Sequence, residues 1–224
     1  MRTPIGNLER LQSKERKYLL KIFHARKINS FPYIVKVNNL ISSEEIDELL
    51  SIAKNIFERS NIVVNGKLVY DTSRTSSTAY LFRDGLPDKY SKNIEKMIKR
   101  ICYLLKCDRS NLEIMAVRYK KGEKFNQHVD YFEENELGKL DNAGNRVATF
   151  FVYLNSLEKG DGGETFFTKL GIKSRPKKGD AVFWYNKDFK SGNYLPMTEH
   201  EGKPVLTNKI KYGLNIWQRE KSFY

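Results

Sequence analysis

Five stretches in the second half of the chain decide the fold: LEIMAVRY (112–119), RVATFFVYL (146–154), GETFF (163–167), DAVFWYN (180–186) and KYGLNIWQ (211–218). Each is short and rich in β-branched and aromatic residues. Clusters of Gly, Asn, Asp and Pro such as EKGDGG (158–163) and RPKKGD (175–180) separate them. None carries a helical period, so they predict antiparallel strands closing into a sandwich or barrel. In the last stretch Lys211, Gly213, Asn215 and Trp217 share one face, and Tyr212, Leu214 and Ile216 share the other, apolar face.

Toward the N-terminus the texture becomes helical. After Phe31-Pro32, YIVKV (33–37) predicts a short strand. NNLISSEEIDELL (38–50) then supplies a helix start: Ser42 or Ser43 caps, and Glu44, Glu45 and Asp47 sit at the positive end of the dipole. That helix is expected to run to about Arg59. Asn65-Gly66 predicts a hairpin turn, because both residues tolerate positive φ. Pro87 is expected to open a second amphipathic helix, apolar at Ile94, Met97, Ile98, Ile101, Leu104 and Leu105. The expected layout is α+β, with helices first and an antiparallel β-barrel after them. No internal repeat or low-complexity tract interrupts it.

With 224 residues, 40% of them hydrophobic, the chain is long enough for one domain with a real core, or one domain with an appendage. Its 40 Lys and Arg against 27 Asp and Glu leave a net charge of +13. Nine basic residues and two acidic ones fall within the first 36 positions, so that segment holds over half of the excess. Leu8, Leu11, Tyr18, Leu19, Ile22 and Phe23 lie near a helical period there, so residues 1–31 are expected to form a basic helical appendage. Residues 32–224 would be the domain, with a helical part (32–110) and a barrel (111–220). A solvated face is the plain use of such charge; steering toward nucleic acid or an acidic partner is the sharper one. No run approaches the roughly 18 apolar residues of a membrane span, and MRTPIGNLERLQSKERK lacks an apolar leader core. A cytoplasmic protein without a membrane partner is expected. Cys102 and Cys107 lie five apart on a predicted helix, pointing in different directions, which excludes a disulfide framework.

Two of three histidines fall in the β half. His128 and Asp130, two apart on an extended chain, project to one face and could grip one ion together. His200 could complete a set of two imidazoles and one carboxylate, the donor set that holds one face of an octahedral Fe(II) and leaves positions open. A structural zinc site normally wants four closed ligands, often thiolates. Taken alone, H-x-D is a weak pattern, met as often in an ordinary hydrogen-bonded histidine at a strand end.

The surrounding blocks carry more. RYKKGEKFNQHVD (118–130), RVATFFVYL (146–154), GGETFF (162–167), RPKKGDAVFW (175–184) and HEGKPVL with KYGLNIW (200–217) resemble, in order, the prolyl 4-hydroxylase family of Fe(II)/2-oxoglutarate dioxygenases. The resemblance extends to the 38–50 block and to SRTSS (73–77), covering about residues 32–220. It implies a double-stranded β-helix, a jelly-roll or cupin-like barrel flanked by the N-terminal helices. It also implies Fe(II), 2-oxoglutarate and O2, with ascorbate as reductant, and hydroxylation of prolyl residues in a peptide or protein with release of succinate and CO2. Carried over residue by residue, it makes His128, Asp130 and His200 the iron ligands. Lys211 pairs with the far carboxylate of 2-oxoglutarate, because it stands six residues before Trp217 on the strand's inward face, whereas Lys209 precedes the strand. Tyr119 and Thr165 become hydroxyl donors to the same carboxylate, Trp217 joins the cofactor site, and Arg74 and Arg146 fall near the substrate groove.

Departures from the family pattern leave the triad intact. Phe125 replaces a Tyr that could meet the substrate, Tyr212 stands where a Trp usually follows the lysine, and Met115 replaces a Gln. Residues 186–199 lack the familiar D-G-x-x-D pattern. The positive net charge suits an acidic or neutral proline-containing segment better than a basic one. Two other classes compete: a nucleic-acid oxidative demethylase on the same barrel, which the basic segment would suit, and a binding module on a decayed fold. The sequence leaves the oligomeric state open.

Overall fold

The computed structural model describes residues 25–82, 91–136 and 142–223. Among these, three antiparallel sheets account for the strands. β1 (Arg26–Asn29), β2 (Ile34–Val37), β3 (Glu58–Arg59) and β6 (Ser77–Phe82) join β7 (Leu112–Tyr119), β9 (Arg146–Tyr153), β12 (Ala181–Tyr185) and β14 (Lys211–Arg219) in the major sheet. Their order is β1-β2-β12-β9-β14-β7-β6-β3. The minor sheet, in the order β11-β10-β13-β8, uses β8 (Phe125–His128), β10 (Thr165–Phe167), β11 (Ile172–Ser174) and β13 (His200–Gly202). β4 (Ile62–Val64) and β5 (Lys67–Val69) form a separate hairpin around Asn65 and Gly66, whose φ values of 53° and 75° are the positive ones that turn was expected to need.

Alternation along the central strands sorts their side chains into two cores. Ala148, Phe150 and Val152 of β9 and Leu214 and Ile216 of β14 face outward, into a cluster shared with α1 (Ser43–Ala53) and α2 (Lys92–Leu105). Phe151, Tyr153 and Trp217 face inward with Tyr119, Phe167 and Trp184. α2 buries the six apolar positions expected of it, at about 1.5–3 kcal/mol for each large side chain removed from water. Its cap is Ser91, while the expected start at Pro87 lies outside the described residues. α1 has a complete capping box, Ser42 accepting from the Glu45 N–H and Glu45 accepting from the Ser42 N–H.

Three expectations need correction. α1 ends at Ala53 rather than near Arg59, because Glu58 and Arg59 pair with Thr78 and Ser77 of β6, and tertiary pairing overrides local helix propensity. Residues 26–29, assigned above to a helical appendage, are a strand paired with β2; residues 1–24 of that segment lie outside the described residues. At the end of α2, Lys106 is left-handed (φ 51°) and folds Cys107 back beside Cys102, so the two thiols are neighbours, although both are free. No helix among the described residues is long and apolar enough to cross a membrane.

Close packing between β14, β9 and β7 gives a stability prediction. A Cβ on Gly213 would lie 2.5 Å from the Phe151 ring and 3.1 Å from Val117. Gly213→Ala is therefore expected to destabilise the fold by about 1–3 kcal/mol. Denaturant unfolding reads this directly, and an unchanged midpoint would contradict the register of β9 against β14.

Candidate active site

His128 ends β8, His200 begins β13, and the two residues are paired across the minor sheet. Asp130 lies two residues beyond the strand end, turned in toward both. The nearest donor atoms of the three residues all lie within 4.8 Å of one another. Asp130 Oδ1 is 3.7 Å from His128 Nε2 and 3.9 Å from His200 Nε2. Each imidazole is oriented by a backbone carbonyl: Nδ1 of His128 donates to Asn126 O at 2.8 Å, and Nδ1 of His200 donates to Thr198 O at 3.0 Å. A carbonyl only accepts, so each Nδ1 holds the proton and each Nε2 turns its lone pair inward. Burial, with His200 nearby, pushes His128 down to about 3, keeping it neutral and able to ligate at neutral pH. Burial acts to raise Asp130, but His200, His128, Arg146 and the Thr149 bond outweigh it and hold the carboxyl below its usual range.

A cavity of about 320 Å³ opens from this triad, and Arg74, Tyr119, Arg146, Thr165, Lys211 and Trp217 line it as well. All nine residues singled out in the sequence therefore reach one space. Lys211 is 1% exposed, with its ammonium 4.9 Å from the Tyr119 ring centre and 5.0 Å from that of Phe151. Burial pushes it down to about 7, against a smaller opposing pull from Glu164. Among the described residues, no carboxylate lies within ion-pair distance of it; Lys209, by contrast, sits on Asp161 at 2.7 Å. A buried amine beside the Tyr119 ring, in a cavity that Thr165 also lines, fits a small dicarboxylate that arrives as a ligand. The two imidazoles and one carboxylate fit Fe(II).

The two arginines differ. Arg74 donates to Asn61 O at 3.0 Å and lies 4.6 Å over the Phe125 ring, which in turn stacks on His128 with centroids 3.6 Å apart. Arg146 grips both oxygens of buried Glu113, donates to Asp130 O at 3.3 Å and covers Trp217 at 3.6 Å. Three of its five N–H donors are thus engaged, two on Glu113 and one on the Asp130 carbonyl.

Several site residues escaped the sequence reading. Thr149, Phe151 and Tyr153 share the inward face of β9, a parity legible by the same alternation that selected Lys211. Tyr153 donates to Thr165 Oγ1 at 3.0 Å. Trp184 packs edge-on to His200 and donates its indole N–H to Asn186. Glu113 gave no local sign of its two arginine partners, Arg146 and Arg219.

Antiparallel sheets carrying a convergent His-Asp-His cluster are a setting suited to an iron oxygenase, and the family model of the 2OG-Fe(II) oxygenase superfamily matches residues 114–219. The chain resembles the prolyl 4-hydroxylases. It is 32% identical to prolyl 4-hydroxylase subunit alpha-1 of Caenorhabditis elegans over 195 residues, and 32% identical to subunit alpha-2 of Gallus gallus over 193 residues, each match covering 85% of this chain. The chain spans about a third of the length of these curated relatives (33% and 34%). A solved viral collagen prolyl hydroxylase from Paramecium bursaria Chlorella virus-1, in complex with 2OG, superposes with a TM-score of 0.62 at 27% identity, covering 83% of this chain and 95% of that one.

Proposed function

We propose that the protein is an Fe(II)- and 2-oxoglutarate-dependent dioxygenase that hydroxylates prolyl residues of a peptide or protein. The carrying observation is the shared cavity, lined by the three convergent residues His128, Asp130 and His200 and by the buried Lys211. In this reading the facing sheets are a double-stranded β-helix, with α1 and α2 packed outside it. Bound Fe(II) and 2-oxoglutarate supply the oxidising power, so that O2 is consumed, one oxygen atom enters a proline C–H bond, and succinate and CO2 leave.

The chain's own residues hold and orient. His128, Asp130 and His200 offer two lone pairs and one anionic oxygen from fixed directions. Lys211 neutralises the far carboxylate of 2-oxoglutarate, and Tyr119 and Thr165 donate hydroxyl hydrogen bonds to it. Trp217 walls the cofactor site, and Arg146 steadies it. Arg74, above Phe125, faces the peptide groove beside the β4–β5 hairpin, whose Ile62, Val63 and Leu68 also line the cavity. Ascorbate as reductant and a cytoplasmic setting belong to this reading as well.

The test is succinate formation with a panel of proline-rich peptides and a panel of methylated oligonucleotides. Peptide-dependent succinate is expected, together with a mass gain of one oxygen on proline. Demethylated oligonucleotide with unmodified peptide would replace this reading by nucleic-acid demethylation.

A pH dependence follows from Lys211. Free, it titrates near 7; beside a bound carboxylate the charged form is favoured, so binding takes up a proton above that pH. Affinity for 2-oxoglutarate should therefore be level below about pH 7 and fall by up to about tenfold per pH unit above it, as linkage of one proton requires. Dissociation constants measured from pH 6 to 9 check the sign, and a flat profile would contradict it.

A further inference from the structure

Three fully buried polar side chains lie behind the triad and touch no solvent: Thr149, Asn186 and the indole N–H of Trp184. They form one line. Trp184 Nε1 donates to Asn186 Oδ1 at 2.8 Å, Asn186 Nδ2 donates to Thr149 Oγ1 at 3.0 Å, and Thr149 Oγ1 donates to Asp130 Oδ2 at 2.8 Å. The direction of the line is dictated by chemistry. An indole N–H can only donate, so the amide oxygen of Asn186 must face it and the amide nitrogen must face Thr149. The threonine oxygen is thereby used as an acceptor, and its single hydrogen goes to Asp130.

The same asparagine also fixes the other side of the site. Its N–H donates to Val147 O on β9 at 2.9 Å, and its carbonyl accepts from the Leu195 N–H at 2.8 Å. Leu195 O accepts from the Thr198 hydroxyl at 2.7 Å, and Thr198 O accepts from His200 Nδ1 at 3.0 Å. Asn186 thus ties the carboxylate ligand and the second imidazole to one point.

We propose that Thr149, polarised through Asn186 by Trp184, is a positioning residue that engages Oδ2 of Asp130 and so confines the carboxylate to one-oxygen ligation through Oδ1. The inference rests on the iron-site reading above. Oδ1 is the oxygen near both Nε2 atoms, while Oδ2 is occupied by the hydroxyl. A carboxylate released from that bond can rotate and offer both oxygens, filling a position that substrate chemistry needs open.

The test compares Thr149→Val, which removes the hydroxyl at similar volume, with Thr149→Ser, which keeps it. Metal-free protein is titrated with Mn(II), and the visible spectrum of the Co(II) form reports coordination number. Thr149→Val is expected to bind Mn(II) about 10- to 100-fold more weakly, with a changed Co(II) spectrum, and Thr149→Ser is expected to restore both. Wild-type Mn(II) affinity and an unchanged Co(II) spectrum in Thr149→Val would overturn the proposal, since a merely structural threonine would lower the unfolding temperature alone. If Thr149→Val does not fold, Trp184→Phe carries the test: it removes the N–H that sets the direction of the line. Weaker Mn(II) binding there supports the proposal, and wild-type binding overturns it. His200→Ala is the control: if it binds Mn(II) as well as wild type does, the iron-site reading itself fails, and this inference with it.

Discussion

His128→Ala, Asp130→Ala and His200→Ala are each expected to abolish succinate formation while leaving the fold in place. Each removes one of three protein donors from a set whose members lie within 4.8 Å of one another. The remaining two donors no longer define one face of an octahedron, so metal affinity falls with activity. The fold should tolerate the loss, because the triad lines the cavity, whereas the cores are built by Phe150, Ile216, Trp184 and their neighbours. Asp130→Glu is a finer probe. One extra methylene displaces the carboxylate from Thr149, so activity should drop with little change in unfolding temperature. Metal content and turnover measured together decide the matter, and full turnover at normal metal occupancy in any alanine variant would show that the ligands lie elsewhere.

Lys211→Ala should weaken 2-oxoglutarate binding by roughly a hundred- to several-thousand-fold. Removing one partner of a buried ion pair costs about 3–5 kcal/mol, and each 1.4 kcal/mol is about a decade in affinity. Metal binding should survive, because Lys211 is not a ligand. Lys209→Ala should bind 2-oxoglutarate almost normally, since that ammonium is half-exposed and pairs with Asp161 in a surface turn. Side-by-side dissociation constants separate the two lysines. A large loss in Lys209→Ala with a near-normal Lys211→Ala would mean that the inward face of β14 is misread.

The strands that survived translation from sequence to structure are those with strong internal alternation. β7 coincides with LEIMAVRY, and in β14 the face predicted to point inward carries Lys211, buried beside Tyr119. The stripe of α2 was equally legible, because six apolar side chains at helical spacing have one way to be buried together. Short elements were not. β1 and β3 have almost no pattern of their own and exist because β2 and β6 offer partners. Cys107 returns to Cys102 only through a left-handed lysine, which no local preference announces. At the site, the convergence of His128, Asp130 and His200 was legible through their spacing and the company of other motifs. Their supports were not: Asn186 and Thr149 meet across 37 positions, and Glu113 meets Arg219 across 106. Such pairs are set by sheet order, which strand patterns alone leave open.

Anaerobic titration of the metal-free protein with Fe(II) and then 2-oxoglutarate tests the central claim most directly. A 2-keto acid chelated to Fe(II) gives a weak visible absorption that neither component gives alone. The band is expected to grow to one equivalent in the wild type. In His128→Ala, Asp130→Ala and His200→Ala it should be lost at every 2-oxoglutarate concentration, and in Lys211→Ala it should appear only at far higher 2-oxoglutarate. No band in the wild type at saturating Fe(II) and 2-oxoglutarate, or an undiminished band in a triad variant, would contradict the account.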